Sequence, residues 1–286
     1  RGSPNRDAFV ALVEDACGAT LEILDGPDEA RMAHASVAHA FDLTAAHAAV
    51  ADIGGGSTDV AISAGGLIER LVSVPLGAVR LADRFSTSGG KYAEMRRYVD
   101  RVLHDQLPRM DVRPQMMFGT GGTFTAIAYI ALRSREAKGQ APAGPATSGP
   151  IPIRGFDMTL ADVTHLLDYL RGLSDAERRD GPGLSQNRAR IIVPGVCLVE
   201  SVMRRLEVNN LRVHDRGVRD GIILSMLRER FSPIDGEGSV TRPDERQSVL
   251  AFGRRCNFDE VQSSHVSKLS LELFDELARA FEERIG

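Results

Sequence analysis

Apolar and polar positions change period along this chain, and the changes mark its elements. Ala48-Ala49-Val50-Ala51 and Val60-Ala61-Ile62-Ser63 are runs of small and β-branched residues. They predict strands over Ala48–Asp52 and Asp59–Ser63. Leu67–Val74 is a third strand reached through Ala64-Gly65-Gly66, so the segment reads as a β-meander. Elsewhere the period is helical. Phe9, Leu12, Val13 and Ala16 share a face of a helix over Ala8–Cys17 that Gly18 ends. Leu21–Leu24 reads as a short strand, and Asp28-Glu29-Ala30-Arg31 opens a second helix with an acidic first turn.

A helical stretch follows Leu76-Gly77-Ala78 to Phe85, and a longer helix runs from Lys91 to Leu107 with Met95, Tyr98, Val99, Val102 and Leu103 on one face. Gln115–Phe118 is a strand, and Phe124–Leu132 is a helix. Thr159 caps a helix carrying Leu160, Val163, Leu166, Leu167 and Leu170, and Ser174 starts a short one. Arg188–Leu206 is helical, with Pro194 marking either a kink or the true start. Leu211–His214 is a strand, Gly217–Phe231 a helix, and Gln247–Arg255 and Ser263–Glu283 are further helical runs. Three antiparallel strands followed by alternating helices and strands is the order of an α/β, RNase H-like lobe.

Residues 137–152 are rich in Pro and Gly and read as a mobile loop or lid, and 232–246 read as a linker. The 286 residues, 43% hydrophobic, suffice for two compact units. A formal charge of −4 gives no support for bulk binding to nucleic acid or a membrane surface, so an anionic ligand needs a focused site. Cys17, Cys197 and Cys256 are odd in number and widely spaced, which points to neither a disulfide framework nor zinc and fits a reducing cytoplasm. His34, His39 and His265 lack ligand spacing. No apolar run reaches membrane-spanning length. The start, Arg1 to Asp7, reads as a chain entered midway.

The candidate chemistry lies in the first hairpin, Asp52-Ile53-Gly54-Gly55-Gly56-Ser57-Thr58-Asp59. Its glycines let backbone N–H groups approach an anion, Ser57 and Thr58 add hydroxyls, and Asp52 and Asp59 offer the hard oxygens that Mg²⁺ prefers. A ligand-free glycine turn is the alternative, although carboxylates at both mouths of an apolar hairpin repel unless a cation or donors intervene. A dinucleotide loop is disfavoured because a strand, not a helix, follows. A second glycine-rich turn, Gly119-Thr120-Gly121-Gly122-Thr123, sits at a strand-to-helix junction, where anion binding and close packing are both open readings. Glu29 by itself reads as a first-turn surface charge.

Six blocks in order resemble the exopolyphosphatase and guanosine pentaphosphate phosphohydrolase family of the actin-like ATPase superfamily. They are Arg1-x-x-x-Asn5-Arg6-Asp7, Gly26-x-Asp28-Glu29-Ala30-Arg31, Asp52 to Thr58, Gly119-x-Gly121-Gly122-Thr123, Arg188 with Ile191-Ile192-x-Pro194-Gly195, and Gly217-x-Arg219-x-Gly221. The resemblance implies actin-like lobes: residues 1–32 a remnant of lobe I, 33–231 lobe II, and 247–286 the start of a helical HD-like domain. It implies Glu29 as the general base that prepares the attacking water, Asp52 and Asp59 beside metal and phosphates, and Gly54, Gly55, Gly56 and Ser57 as the phosphate loop. Arg1 matches an arginine facing the phosphate chain, and Gly121, Gly122 and Thr123 match a loop across the interlobe cleft.

The implied activity is hydrolysis of a terminal phosphoanhydride of inorganic polyphosphate or guanosine pentaphosphate with Mg²⁺, in the cytoplasm, and a homodimer is compatible with it. Two departures stand out. Asp59 occupies a position where the family usually has glutamate, which draws the carboxylate back by about 1.5 Å, and most of lobe I is absent. A non-catalytic sensor of polyphosphate or an alarmone, and an ATP-using kinase or ATPase, are the competing readings.

Overall fold

Alternation and register build one mixed sheet in the computed structural model, which describes residues 5–44, 47–85, 91–137, 153–180, 188–231, 250, 253 and 258–285. Strands β1 (His47–Ile53), β2 (Thr58–Ala64) and β3 (Leu67–Val74) form the expected meander. With β4 (Met116–Thr120), β5 (Phe156–Thr159) and β6 (Asn210–Val213) they make a sheet of order β3-β2-β1-β4-β6-β5. β4 lies parallel to β1 and to β6, while β2, β3 and β5 pair antiparallel with their neighbours. Four-residue β5 is too short to stand out as an alternating run.

The helices are α1 (Arg6–Cys17), α2 (Gly26–Ala40), α3 (Ala78–Arg84), α4 (Tyr92–Gln106), α5 (Gly122–Ala137), α6 (Leu160–Gly172), α7 (Asp175–Asp180), α8 (Ile192–Leu206), α9 (Val218–Phe231) and α10 (Glu260–Ile285). The chain divides into two units, Arg1–Arg228 and Glu229–Gly286. Arg1, the Pro/Gly-rich residues 138–152, the linker 232–246 and most of the predicted helix over 247–255 lie outside the described residues.

Both faces of the sheet are covered, so its central strands are apolar almost throughout. On one face the small residues Ala30, Ala33 and Val37 of α2 let the helix sit close over Ala48, Val50, Ala61 and Phe118. On the other, Ala49, Ala51 and Ile53 join a larger core with Phe124, Ile127 and the inner residues of α8. Alternation along β1 thus divides one strand between two cores. Phe124 is fully buried and lies over Gly119, where an added Cβ would stand 2.1 Å from its Cδ1. Burying such a ring contributes about 1.5–3 kcal/mol.

Helix α8 is buried nearly end to end, and its one acid is answered locally. Glu200 accepts from Arg96 of α4, from Thr164 of α6 at 2.9 Å and from Arg204 at 2.8 Å. These bonds hold Glu200 below the usual carboxylate range against the opposing effect of burial. Pro194 falls in the first turn of α8, where a missing N–H costs no hydrogen bond, so it marks the helix start. Gly221 of α9 faces the backbone of α2, with a Cβ position only 1.9 Å from Met32 O. That contact explains the glycine without a ligand.

Two expectations fail. Leu21–Leu24 is not a strand: among the described residues no neighbour completes a ladder, and Leu21 N–H donates instead to Glu14 Oε1 at 2.9 Å. The predicted apolar face of α1 is also uncovered, with Phe9 59% and Leu12 70% exposed.

Candidate active site

The site lies where β1, β4 and β6 end, the edge at which open α/β sheets bind ligands. Asp52 is the register partner of Asp59 on β2 and of Thr120 on β4. One position therefore joins both glycine-rich turns. Gly121–Thr123 consequently lies beside Gly54–Ser57 on the same sheet and not across a cleft from it, because parallel pairing of β1 with β4 brings both turns to one edge.

The first turn is held from behind. Gly54 N–H donates to Ser57 O at 3.0 Å, and the carbonyls of Gly54 and Gly55 accept from Ala78, Val79 and Arg80 at 3.0 to 3.1 Å. Those carbonyls satisfy the opening turn of α3. Gly77 makes the approach possible, since its Cβ would lie 2.2 Å from Gly55 O. With the carbonyls committed to α3, the N–H groups of Gly55 and Gly56 donate to nothing among the described residues, and both glycines are exposed. This is the donor arrangement of an anion nest.

Around the turn the side chains divide by role. Ser57 Oγ donates to Asp59 Oδ2 at 2.8 Å and Ser73 Oγ to Asp59 Oδ1 at 2.5 Å, while Asp59 is 3% exposed. Thr58 is fully buried and donates to Leu76 O at 2.7 Å. Its hydroxyl secures the chain entering α3. Thr123 Oγ1 reaches Ile53 O at 3.3 Å and fastens the second turn to the first. Gly121, at φ +88°, packs against Asp52: a Cβ there would stand 2.3 Å from Oδ1.

Glu29 comes from the first turn of α2. Asp25 caps that helix by accepting from Asp28 N–H at 2.8 Å, and Glu29 N–H closes on Asp25 O at 3.0 Å. Packing of α2 on the sheet brings the charge of Glu29 within electrostatic range of Asp52. Burial pushes the Asp52 carboxyl up to about 6, and the charges of Asp59 and Glu29 add to the shift. The charges of Asp59 and Glu29 thus both act on Asp52, a repulsion that a cation relieves.

The donor set suits a divalent ion unevenly. Asp52 gains directly from a neighbouring cation, whereas a direct metal bond to Asp59 would displace one of its two hydroxyl partners. Among the described residues no group of three or more His, Cys, Asp or Glu is close enough to hold a metal. Coordination through Asp52, with Asp59 acting through Ser57 and water, is the arrangement these residues allow.

Beside Asp52 opens a cavity of about 370 Å³ lined by Gly121 and Gly122 of the second turn, Arg188 and the segment Asp215–Asp220. Arg188 donates to Gly122 O and lies over that glycine, where a Cβ would meet Nη1 at 2.5 Å. The N-termini of α5 and α9 both open here, adding positive potential to Arg188, Arg216 and Arg219. Sequence reasoning assigned no role to Arg216, Ser73 or Gly77, whose contacts arise only from strand register and the return of the chain.

Fold and site together define an α/β protein with two glycine-rich turns at the carboxyl ends of its parallel strands. The chain matches the Ppx/GppA phosphatase family over residues 1–230, and it belongs to that family. It is 27% identical over 246 residues to exopolyphosphatase 1 of Mycobacterium leprae (strain TN), covering 84% of this chain and 68% of the relative. Exopolyphosphatase 1 of Mycobacterium tuberculosis (strain ATCC 25618 / H37Rv) is 26% identical over 261 residues, 88% of this chain and 71% of its own. Among solved structures, an Aquifex aeolicus Ppx/GppA family member superposes with TM-score 0.66 at 22% identity, covering 81% of this chain and 72% of that one. A Cytophaga hutchinsonii exopolyphosphatase gives 0.65 at 23% identity, covering 79% and 72%. The fold is that of the family.

Proposed function

We propose that the protein hydrolyses the terminal phosphoanhydride of inorganic polyphosphate and releases orthophosphate. The observation that carries this reading is the Gly55–Gly56 turn, whose exposed N–H groups stand at the end of β1 with Asp52 and Glu29 close by. These amides bind the oxygens of the terminal phosphoryl group and take up charge that grows in the transition state. Glu29 orients a water and accepts its proton as the water oxygen bonds to phosphorus. The P–O bond on the opposite side breaks, and the shortened chain leaves with the bridging oxygen and its electron pair. Mg²⁺ at Asp52 would neutralise phosphate charge and lower the repulsion among the acids.

The M. leprae and M. tuberculosis relatives named exopolyphosphatase support the substrate class. Guanosine pentaphosphate presents the same terminal group and belongs beside polyphosphate in the assay. Glu29→Gln is expected to cut phosphate release by 10²–10⁴-fold, the usual contribution of a general base, without altering the thermal unfolding midpoint. Turnover equal to wild type in that variant removes Glu29 from the mechanism. A requirement for ATP in phosphate release replaces hydrolysis with kinase or ATPase chemistry, and tight binding without release makes the protein a sensor.

A further inference from the structure

Glu29, Met32 and Ser36 of α2 stand at i, i+3 and i+7 and so share one helix face. That face is fastened at two points besides its packing on the sheet. At Met32 the backbone meets Gly221 of α9, and Ser225 Oγ reaches Met32 Sδ at 3.5 Å. At Ser36 the hydroxyl lies 3.1 Å from His214 Nε2, in a buried contact.

His214 follows β6 directly and is almost fully buried. Its backbone N–H donates to Gly119 O at 2.9 Å, beside the second glycine turn. Its ring packs edge-on against Phe41 at the end of α2, with centroids 5.4 Å apart. Nδ1 stands 3.6 Å from Asp215 Oδ1, which also accepts from Arg154 at 2.8 Å. Asp215 opens the segment that lines the cavity beside Asp52, and within that segment Gly217 lies against Thr120 and Gly121. One side chain therefore joins the helix of Glu29 to the cavity wall and the second turn.

Ser36, His214 and Asp215 have the residue types of a nucleophilic triad, but Ser36 is 2% exposed and closed to any substrate. The contact instead fixes a ring. Burial lowers the His214 imidazole from its usual range, against the charge of Asp215, so the ring is neutral and carries one N–H. With that proton on Nδ1 the N–H faces the Asp215 carboxylate, and Nε2 accepts from the Ser36 hydroxyl. With it on Nε2, a nitrogen lone pair would face the carboxylate.

We infer that His214, in the Nδ1–H form, is a positioning residue whose bond to Ser36 sets where α2 holds the Glu29 carboxylate relative to Asp52 and the second turn. Seven residues of helix separate Ser36 from Glu29, about 10 Å along the axis. Over that distance a rigid helix passes a shift on undiminished, and an error of about 1 Å in placing a reacting group can cost about 10²-fold in rate. This role rests on Glu29 being the general base.

The test uses the intact protein. Ser36→Ala removes the bond from the α2 side and leaves a good helix former in place, so the fold is kept. The kcat for phosphate release from polyphosphate is expected to fall about 10- to 100-fold with KM within about twofold of wild type. In a Glu29→Gln background the same substitution is expected to change kcat by less than about twofold, because the group it would misplace is already gone. His214→Gln still reaches Ser36 and is expected to recover most of the rate, whereas the shorter His214→Asn is expected to lose as much as Ser36→Ala. Long-range proton–nitrogen NMR correlations of the His214 ring are expected to show the Nδ1–H form. A ring in the Nε2–H form, a loss confined to KM, equal losses in the Gln and Asn variants, or a Ser36→Ala effect that multiplies with that of Glu29→Gln overturns the role of His214. Wild-type turnover in Glu29→Gln, or no release from the unsubstituted protein, defeats the hydrolytic reading and this role with it. An enzyme disabled by Glu29→Gln yet indifferent to Ser36→Ala overturns the role of His214 alone.

Discussion

Replacing Asp52 by Asn tests the electrostatics of the site without relying on turnover. In the folded protein the Asp52 carboxyl is raised from 3.8 to about 6, chiefly by burial and then by Asp59 and Glu29. Between about pH 4 and pH 6 the native state therefore holds a proton that the unfolded state has released. With more protons bound in the native state, stability falls as pH rises through that window and then levels off. About two pKa units at 1.36 kcal/mol each set an upper bound near 3 kcal/mol, and solvent at the half-buried carboxylate brings the expected cost to about 1–3 kcal/mol. Asn keeps the shape and removes the charge. Urea unfolding of wild type and Asp52→Asn, in EDTA at pH 4 and pH 7.5, is expected to show nearly equal stabilities at pH 4 and a variant more stable by about 1–3 kcal/mol at pH 7.5. A difference independent of pH, or a variant less stable at pH 7.5, would refute the picture of uncompensated charge at the end of β1.

Two further substitutions probe the turns. Gly121→Ala places a methyl group 2.3 Å from Asp52 Oδ1 on a backbone at φ +88°; activity is expected to fall by more than tenfold and stability by at least about 1–2 kcal/mol, read from phosphate release and urea unfolding. Wild-type behaviour in both would show that the turn relaxes freely. Thr58→Val keeps the shape but leaves Leu76 O without its 2.7 Å donor, for an expected loss of about 1–3 kcal/mol. Weaker phosphate binding at unchanged stability would instead place that hydroxyl on the ligand.

Much of this was visible before the chain folded. Alternation on either side of Gly54–Ser57 announced a hairpin, and glycines between carboxylates pointed to an anion and a cation as candidate ligands. Thr58 shows where local reading stops. It sits in a motif whose sequence suits phosphate, yet β2 is buried on both faces and its hydroxyl turns to Leu76 O. Asp59 is similar, because its partner Ser73 stands opposite only in the β2–β3 register. The placement of Gly121–Thr123 beside the first turn depended on parallel pairing of β1 with β4, a contact between segments that share no local signal.

By itself the sequence determined the local elements, the meander, the glycine turns and the chemical character of their side chains. These follow from periodicity and backbone freedom, properties that neighbouring residues share. The tertiary structure alone decided that the charge of Glu29 acts on Asp52 and that the carbonyls of Gly54 and Gly55 turn to α3 and leave amides outward. Those relations depend on strand register and helix packing, which bring distant residues within reach through contacts that no short stretch of chain encodes.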